Sequence, residues 1–213
     1  TAELGCLAEW GLSMLVEADG VKVLFDTGAG IAALHNANLM DIDFATVDKI
    51  VISHGHYDHT GGLREVLTRM NKPVEIIAHP DIWAAKYGKW GKHKEHYAGM
   101  PFQRELLESL GARFNLTSAP VKITPRFMTT GEIPMITEYE QIDSGLLDKD
   151  TGEMLPDELK DDLGMVIDTD FGLVVILGCA HRGIVNTIKQ AQKITGKKEV
   201  YCAIGGTHLL NAD

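Results

Sequence analysis

Ser53-His54-Gly55-His56-Tyr57-Asp58-His59 follows directly on the apolar run Ile50-Val51-Ile52, and its reading decides the fold. Four side chains with metal-ligand chemistry, His54, His56, Asp58 and His59, fall within six residues. With the apolar run as a strand, alternation sends His54 and His56 from its C-terminal end on one face. A sharp turn at Gly55 to Tyr57 then brings Asp58 and His59 round to a neighbouring point. Imidazole nitrogen and carboxylate oxygen suit zinc, iron or manganese, so the stretch offers two adjacent pockets for two divalent ions. Histidine makes up only 9 of 213 residues, which makes a chance histidine-rich surface loop a poor account.

Upstream, Leu12–Glu17 and Val21–Phe25 are apolar runs separated by Ala18-Asp19-Gly20, the pattern of a hairpin. The second run ends in Asp26-Thr27-Gly28-Ala29-Gly30. Asp26 reads either as a plain turn residue or as a buried carboxylate that orients a ligand of the histidine loop. Residues 31–38 read as a short helix, with His35 as a structural or surface residue.

Downstream, apolar residues at 63, 66, 67 and 70 share one helical face, and Asn71-Lys72-Pro73 stops the helix. Val74–Ala78 reads as a buried strand that delivers His79 to its end. This strand–helix–strand rhythm points to a layered α/β fold with chemistry at strand ends. His79 is open to two readings, a substrate contact in the same cleft or a satisfied structural histidine. Residues 81–100 interleave Lys86, Lys89, Lys92 and Lys94 with Trp83, Tyr87, Trp90 and Tyr97. They read either as a solvated helix and loop or as a lid that offers Lys89, Lys92 and Lys94 to an anionic, ring-bearing substrate.

Pro101–Gly111 reads as a helix, followed by short strands at Arg113–Leu116, Val121–Thr124 and about Phe127–Thr130. Residues 137–164 are acidic and weakly periodic, a surface excursion on this reading. Met165–Asp168 and Leu173–Leu177 form a second hairpin, whose second arm ends in Gly178-Cys179-Ala180-His181. A helix over Ile184–Ile194 and a strand over Val200–Ile204 lead to Gly205-Gly206-Thr207-His208. Three strands thus deliver histidines to one edge, at 54–59, 181 and 208, and make His181 and His208 candidate ligands. Cys179 is either a thiolate ligand or a small buried residue.

At 213 residues and 45% hydrophobic, the chain can bury a core as a single domain over 1–213. The net charge of −10 argues against a general binder of nucleic acid. Three scattered cysteines make no disulfide framework, so a reducing cytoplasm is the expected compartment. No apolar run reaches the length of a membrane span. The chain opens at Thr1 without Met and stops at Asp213, so trimmed termini are expected. Composition does not set the oligomeric state.

His54-x-His56-x-Asp58-His59 after a buried strand resembles the motif of the metallo-β-lactamase-fold hydrolases. The flanks extend the likeness in order: Ala8-Glu9-Trp10-Gly11-Leu12-Ser13, Leu24-Phe25-Asp26-Thr27-Gly28, Gly131-Glu132-Ile133-Pro134, Gly178-Cys179-Ala180-His181 and Gly205-Gly206-Thr207-His208-Leu209. Together they resemble the subgroup named dihydropterin ribofuranosylaminobenzene 5′-phosphate synthases, with Trp10 and Met135 as departures. The resemblance implies a four-layer αββα sandwich with the metal cleft at one edge of two sheets, and a buried orienting role for Asp26. It implies a metal-dependent hydrolase in which a metal-bound hydroxide attacks a small ester, amide or phosphoester. Asp58 and His56 are then the catalytic residues beside two ions, zinc first and iron or manganese as alternatives. A pterin-phosphate condensing enzyme and an iron-binding redox or sensor module are the other functions considered.

Overall fold

The runs on either side of the histidine stretch form one sheet in the computed structural model, which describes residues 5–89, 94–149 and 152–209. Strands β1 (Met14–Ala18) and β2 (Val21–Phe25) make the expected antiparallel hairpin. Its two turn residues, Asp19 and Gly20, both have positive φ (51° and 75°), as a two-residue turn that follows the strand twist requires. Helix α1 (Ala32–Leu39) leads to β3 (Lys49–Val51), which lies parallel to β2. The short helix α2 (Tyr57–Thr60) and helix α3 (Leu63–Met70) return the chain to β4 (Val74–Ala78). Strands β5 (Lys86–Gly88) and β6 (His96–Tyr97) and helix α4 (Arg104–Ser109) precede β7 (Ala112–Leu116), which completes the sheet order β1-β2-β3-β4-β7.

The second large sheet belongs to the C-terminal half. Strand β8 (Phe127–Thr129) is followed by the small strands β9 (Leu146–Asp148) and β10 (Leu155–Pro156), then by the hairpin β11 (Met165–Thr169) and β12 (Gly172–Leu177). Helix α5 (Ile184–Thr195) crosses over to β13 (Val200–Gly205), parallel to β12, and gives the order β13-β12-β11-β8.

Alternation along the strands sets the layers. Val23, Phe25, Val51 and Ile77 of the first sheet pack on Phe127, Met165 and Ile176 of the second. Their neighbours Leu24, Ile50 and Ile76 face the other way, onto Leu34, Leu63, Leu67 and Leu107 of the helices. On the far side, Val166, Val175 and Leu177 meet Ile184, Ile188 and Ala191 of α5. The αββα sandwich is therefore present, with α1, α3 and α4 on one outer face and α5 on the other. In α3, the residues at 63, 66, 67 and 70 are the buried ones, and Asn71 closes the helix in the left-handed region (φ 47°).

Three expectations fail. Val121–Thr124 is no strand: one bridge, Lys122 to Met128, is formed before Ile123 and Thr124 both donate to Phe127 O in a turn. The described part of residues 81–100 is not a solvated helix and loop. After a 3-10 turn (Pro80–Trp83), β5 and β6 join β9 and β10 in a third, small sheet of order β10-β9-β5-β6. Residues 137–164 are not simply a surface excursion either. They supply β9 and β10 and bury Asp157, Leu159, Asp161, Asp162 and Leu163, because the charges of these aspartates find partners inside.

Neither α1 nor α5 has an N-cap side chain of its own. A glutamate from elsewhere serves each. The Glu9 carboxylate accepts from Ile31 N (3.0 Å) and Ala33 N (3.2 Å), and that of Glu140 from Val185 N (2.7 Å) and Asn186 N (2.8 Å). Among the described residues, no helix is long and apolar enough to cross a membrane.

Candidate metal centre

The histidine loop leaves β3 under tight backbone constraint. A Cβ on Gly55 would press on the Ile82 carbonyl, so only glycine passes between His54 and His56. His56 stands at the N-cap of α2 in extended conformation, and the helix then presents Asp58 and His59. Asp26, at φ 60° just past β2, is completely buried. Its carboxylate accepts from Ser53 N and Ser53 Oγ, both at 2.7 Å, and lies 2.6 Å from His59 Nδ1.

This network assigns the tautomers. Ser53 Oγ spends its hydrogen on Asp26, so it accepts from His54 Nδ1–H at 2.9 Å, and His54 Nε2 is left as a bare lone pair. His56 Nδ1 lies 3.0 Å from that lone pair and His181 Nε2 lies 3.2 Å from it. One lone pair cannot satisfy two donors, whereas a shared cation satisfies all three nitrogens. Metal–nitrogen bonds of about 2.1 Å in tetrahedral array would place ligands about 3.4 Å apart, close to what is seen. His59 Nε2 lies 3.1 Å from Cys179 Sγ and 3.6 Å from Asp58 Oδ2, which makes a second donor group. The Cys179 sulfur also lies within 4.8 Å of the ligand nitrogens of His54 and His181. His208 packs against His181, with ring centroids 4.3 Å apart and the planes tilted by 56°.

Burial, with neighbouring imidazoles and Lys86 adding to it, holds His54, His56 and His181 well below the ordinary histidine range, in the neutral form that ligates metals. His59 differs. Burial opposes its charge, but Asp26 and Cys179 outweigh burial and raise it well above that range. Burial also pushes the Asp58 carboxyl up.

A set of residues beneath the loops has no counterpart in the sequence reading. Asp161 Oδ2 accepts from Gly55 N (2.7 Å), while its other oxygen and Asp157 Oδ2 each lie 2.9 Å from Lys86 Nζ. Asp162 Oδ2 accepts from Arg182 N (2.8 Å), next to His181, and burial pushes its carboxyl up to about 7. Arg182 in turn donates to Glu132 Oε1 (2.8 Å) and Glu158 O (2.9 Å). The sequence hint was slight: aspartates set among Leu159 and Leu163, and a lysine inside a short strand.

The structure brings His54, His56, Asp58, His59, Cys179, His181 and His208 together, with Asp26 behind them. The described lid candidates, His79, Lys89 and Lys94, do not line the cleft. His79 caps the 3-10 turn, its Nδ1 accepting from Asp81 N at 3.1 Å, and its Nε2 is 3.8 Å from Glu132. Lys89 is exposed and pairs with Glu95 (3.0 Å), Lys94 is exposed, and Lys92 falls outside the described residues. A cleft of about 470 Å³ opens beside the cluster, lined by Trp10, Leu12, Asp58, His59, Cys179 and His208 among others, and by none of His79, Lys89 and Lys94.

The profile of the metallo-beta-lactamase superfamily matches residues 11–185. A Methanocaldococcus jannaschii protein named 7,8-dihydropterin-6-methyl-4-(beta-D-ribofuranosyl)-aminobenzene-5'-phosphate synthase is 36% identical over 214 residues, 97% of this chain and 73% of that one. Over a shorter stretch of 70 residues, 30% of this chain and 28% of the relative, the anti-Pycsar protein Apyc1 of Paenibacillus harenae is 40% identical. A crystal structure described as a metal-dependent hydrolase of the beta-lactamase superfamily superposes with a TM-score of 0.80 at 28% identity, covering 98% of this chain and 73% of that one. A quorum-quenching N-acyl homoserine lactone lactonase shares the fold (TM-score 0.53, 14% identity, 93% and 80% covered).

Proposed function

Because the chain belongs to the metallo-beta-lactamase superfamily, we propose that it is a metal-dependent hydrolase of a small ester, amide or phosphoester. The observation that supports this best is the relay from Asp26 through Ser53, which leaves a bare His54 lone pair facing two further buried imidazoles. His54, His56 and His181 would hold one divalent ion, and Asp58, His59 and Cys179 a second, with His208 at its edge. Zinc suits the mixture of imidazole, carboxylate and thiolate, and iron or manganese suits its harder part. Such ions supply Lewis acidity, acidifying water toward neutrality and polarising the substrate oxygen.

The chain's own work is to hold donors and protons in place. Asp26 keeps the His59 proton on Nδ1, and Ser53 keeps that of His54 on Nδ1. Asp58, at the cleft wall, can orient an attacking water by accepting one of its hydrogens. No serine or cysteine nucleophile is needed. A second reading, a condensing enzyme of pterin-phosphate chemistry, is favoured by the 36% identical relative that carries that name.

Reconstitution with zinc tests the proposal. Elemental analysis should reach about two ions per chain, and the loaded protein should hydrolyse aryl esters or aryl phosphates. Saturation at one ion removes the second pocket. Two bound ions without hydrolysis, together with product in a coupled pterin–arylamine assay, replaces the hydrolase reading by the condensing one.

A further inference from the structure

The cleft beside the metal-ligand cluster has a wall that the cluster's chemistry leaves unused. Trp10 lines it together with Leu12 and Leu209, and 67% of the tryptophan is exposed. The segment that carries Trp10 is firmly seated, since Gly11 (φ 114°) approaches Asp58 so closely that a Cβ would collide with the Asp58 carbonyl. The floor is Gly178, Cys179 and Gly206, and a Cβ on either glycine would collide with Ser53 or with the Gly178 carbonyl. Among the described residues that line the cleft there is no lysine or arginine. Its carboxylates are Asp58, within the cluster, and Glu9, which is turned into the N-terminus of α1.

We propose that Trp10 forms a ring-stacking subsite for an uncharged aromatic ring, whose reactive group points toward Asp58 and His59. This rests on the reading of the cluster as the reactive centre. A flat ring suits an exposed indole face above a glycine floor, and no lysine or arginine among the described residues lines the cleft beside it. The described aromatics of the other aromatic-rich stretch are committed elsewhere. Trp83 packs on Phe114 (5.2 Å between centroids) and Tyr87 on Tyr97 (5.5 Å).

Phenylphosphonate and methylphosphonate carry the same anionic head and differ in the ring. In titrations of the zinc-loaded full-length protein, the phenyl compound should bind about tenfold tighter and quench Trp10 fluorescence. The preference and the quench should vanish in Trp10→Ala, which folds because the side chain is exposed, and Trp10→Phe should restore most of the preference. Equal preference in wild type and Trp10→Ala, or no Trp10-dependent quench by the phenyl compound, overturns the subsite. Failure of the metal reading looks different: no zinc uptake and no methylphosphonate binding, while the phenyl compound still quenches Trp10, an outcome that supports the stack.

Discussion

Two groups of buried ionisable side chains sit within one fold and are finished differently. Around Lys86 every charge has its partner. Asp157 accepts from Leu159 N and Lys86 Nζ, and Asp161 from Lys86 Nζ and Gly55 N, so all four carboxylate oxygens are engaged. In the histidine cluster, His56 Nε2 and His181 Nδ1 are buried with no hydrogen-bond partner among the described residues, and the single lone pair of His54 Nε2 faces two nitrogens. Both groups are costly to bury. The saturated one behaves as structure, and the unsaturated one keeps capacity for something from outside.

The contrast can be broken most decisively at His56. His56→Ala should lower turnover by about a thousandfold or more, because it removes a donor without a substitute. The melting temperature of the metal-free variant should stay near that of the parent. A fully active variant, or one that no longer folds, would erase the distinction between the two groups. Lys86→Met should do the reverse. It strands two buried carboxylates and should cost about 3–5 kcal/mol in denaturant unfolding. A loss below about 1 kcal/mol would mean that the Lys86 group is not structural.

A pH series on the metal-free protein sharpens the contrast further. Asp162 ionises near 3.8 when unfolded, and burial raises it to about 7 in the fold. Between those values the folded chain keeps this proton where the unfolded chain has lost it, so the Asp162 contribution falls as pH rises from about 4 to about 7. Asp161, also raised by burial, acts in the same direction. His54, His56 and His181, neutral in the fold and charged when unfolded, pull stability up with pH below about 6.5. Asp162→Asn should remove the falling contribution and make stability rise more steeply with pH across this window, with a total effect of a few kcal/mol at most. An unchanged slope would place the titration elsewhere.

The smallest effect is expected at the exposed lysines. Lys89→Gln with Lys94→Gln should change KM for a phosphorylated substrate less than about twofold, with the same salt dependence as the parent. A clear rise in KM at low salt would return those lysines to the cleft.

What could be read from the sequence was what is local. His54 to His59 lie within one loop, and the hairpin at Asp19-Gly20 and the helical face at 63, 66, 67 and 70 need only neighbours, so all were legible. Asp26, which ends a strand at a glycine turn, was open between two readings from its residues alone, and the family resemblance favoured the orienting one. Lys86 and Asp161 could not be singled out, since 75 residues separate the partners and each alone looks like a solvated charge. The same habit turned residues 81–100 and 137–164 into surface, where their strands pair with each other. Val121–Thr124 has the composition of a strand, but its backbone bonds go to a turn instead of a ladder. The convergence of Cys179 with His59, 120 residues apart, was open in sequence and is settled only by packing.

Glu9 and Glu140 act as internal counter-ions. A helix N-terminus attracts phosphate and sulfate from buffer, but at α1 and α5 that position is already filled by a carboxylate of the chain itself. Free anions must therefore compete with a tethered ligand at either end. Phosphate should thus bind these two helix starts more weakly than it would an uncapped one.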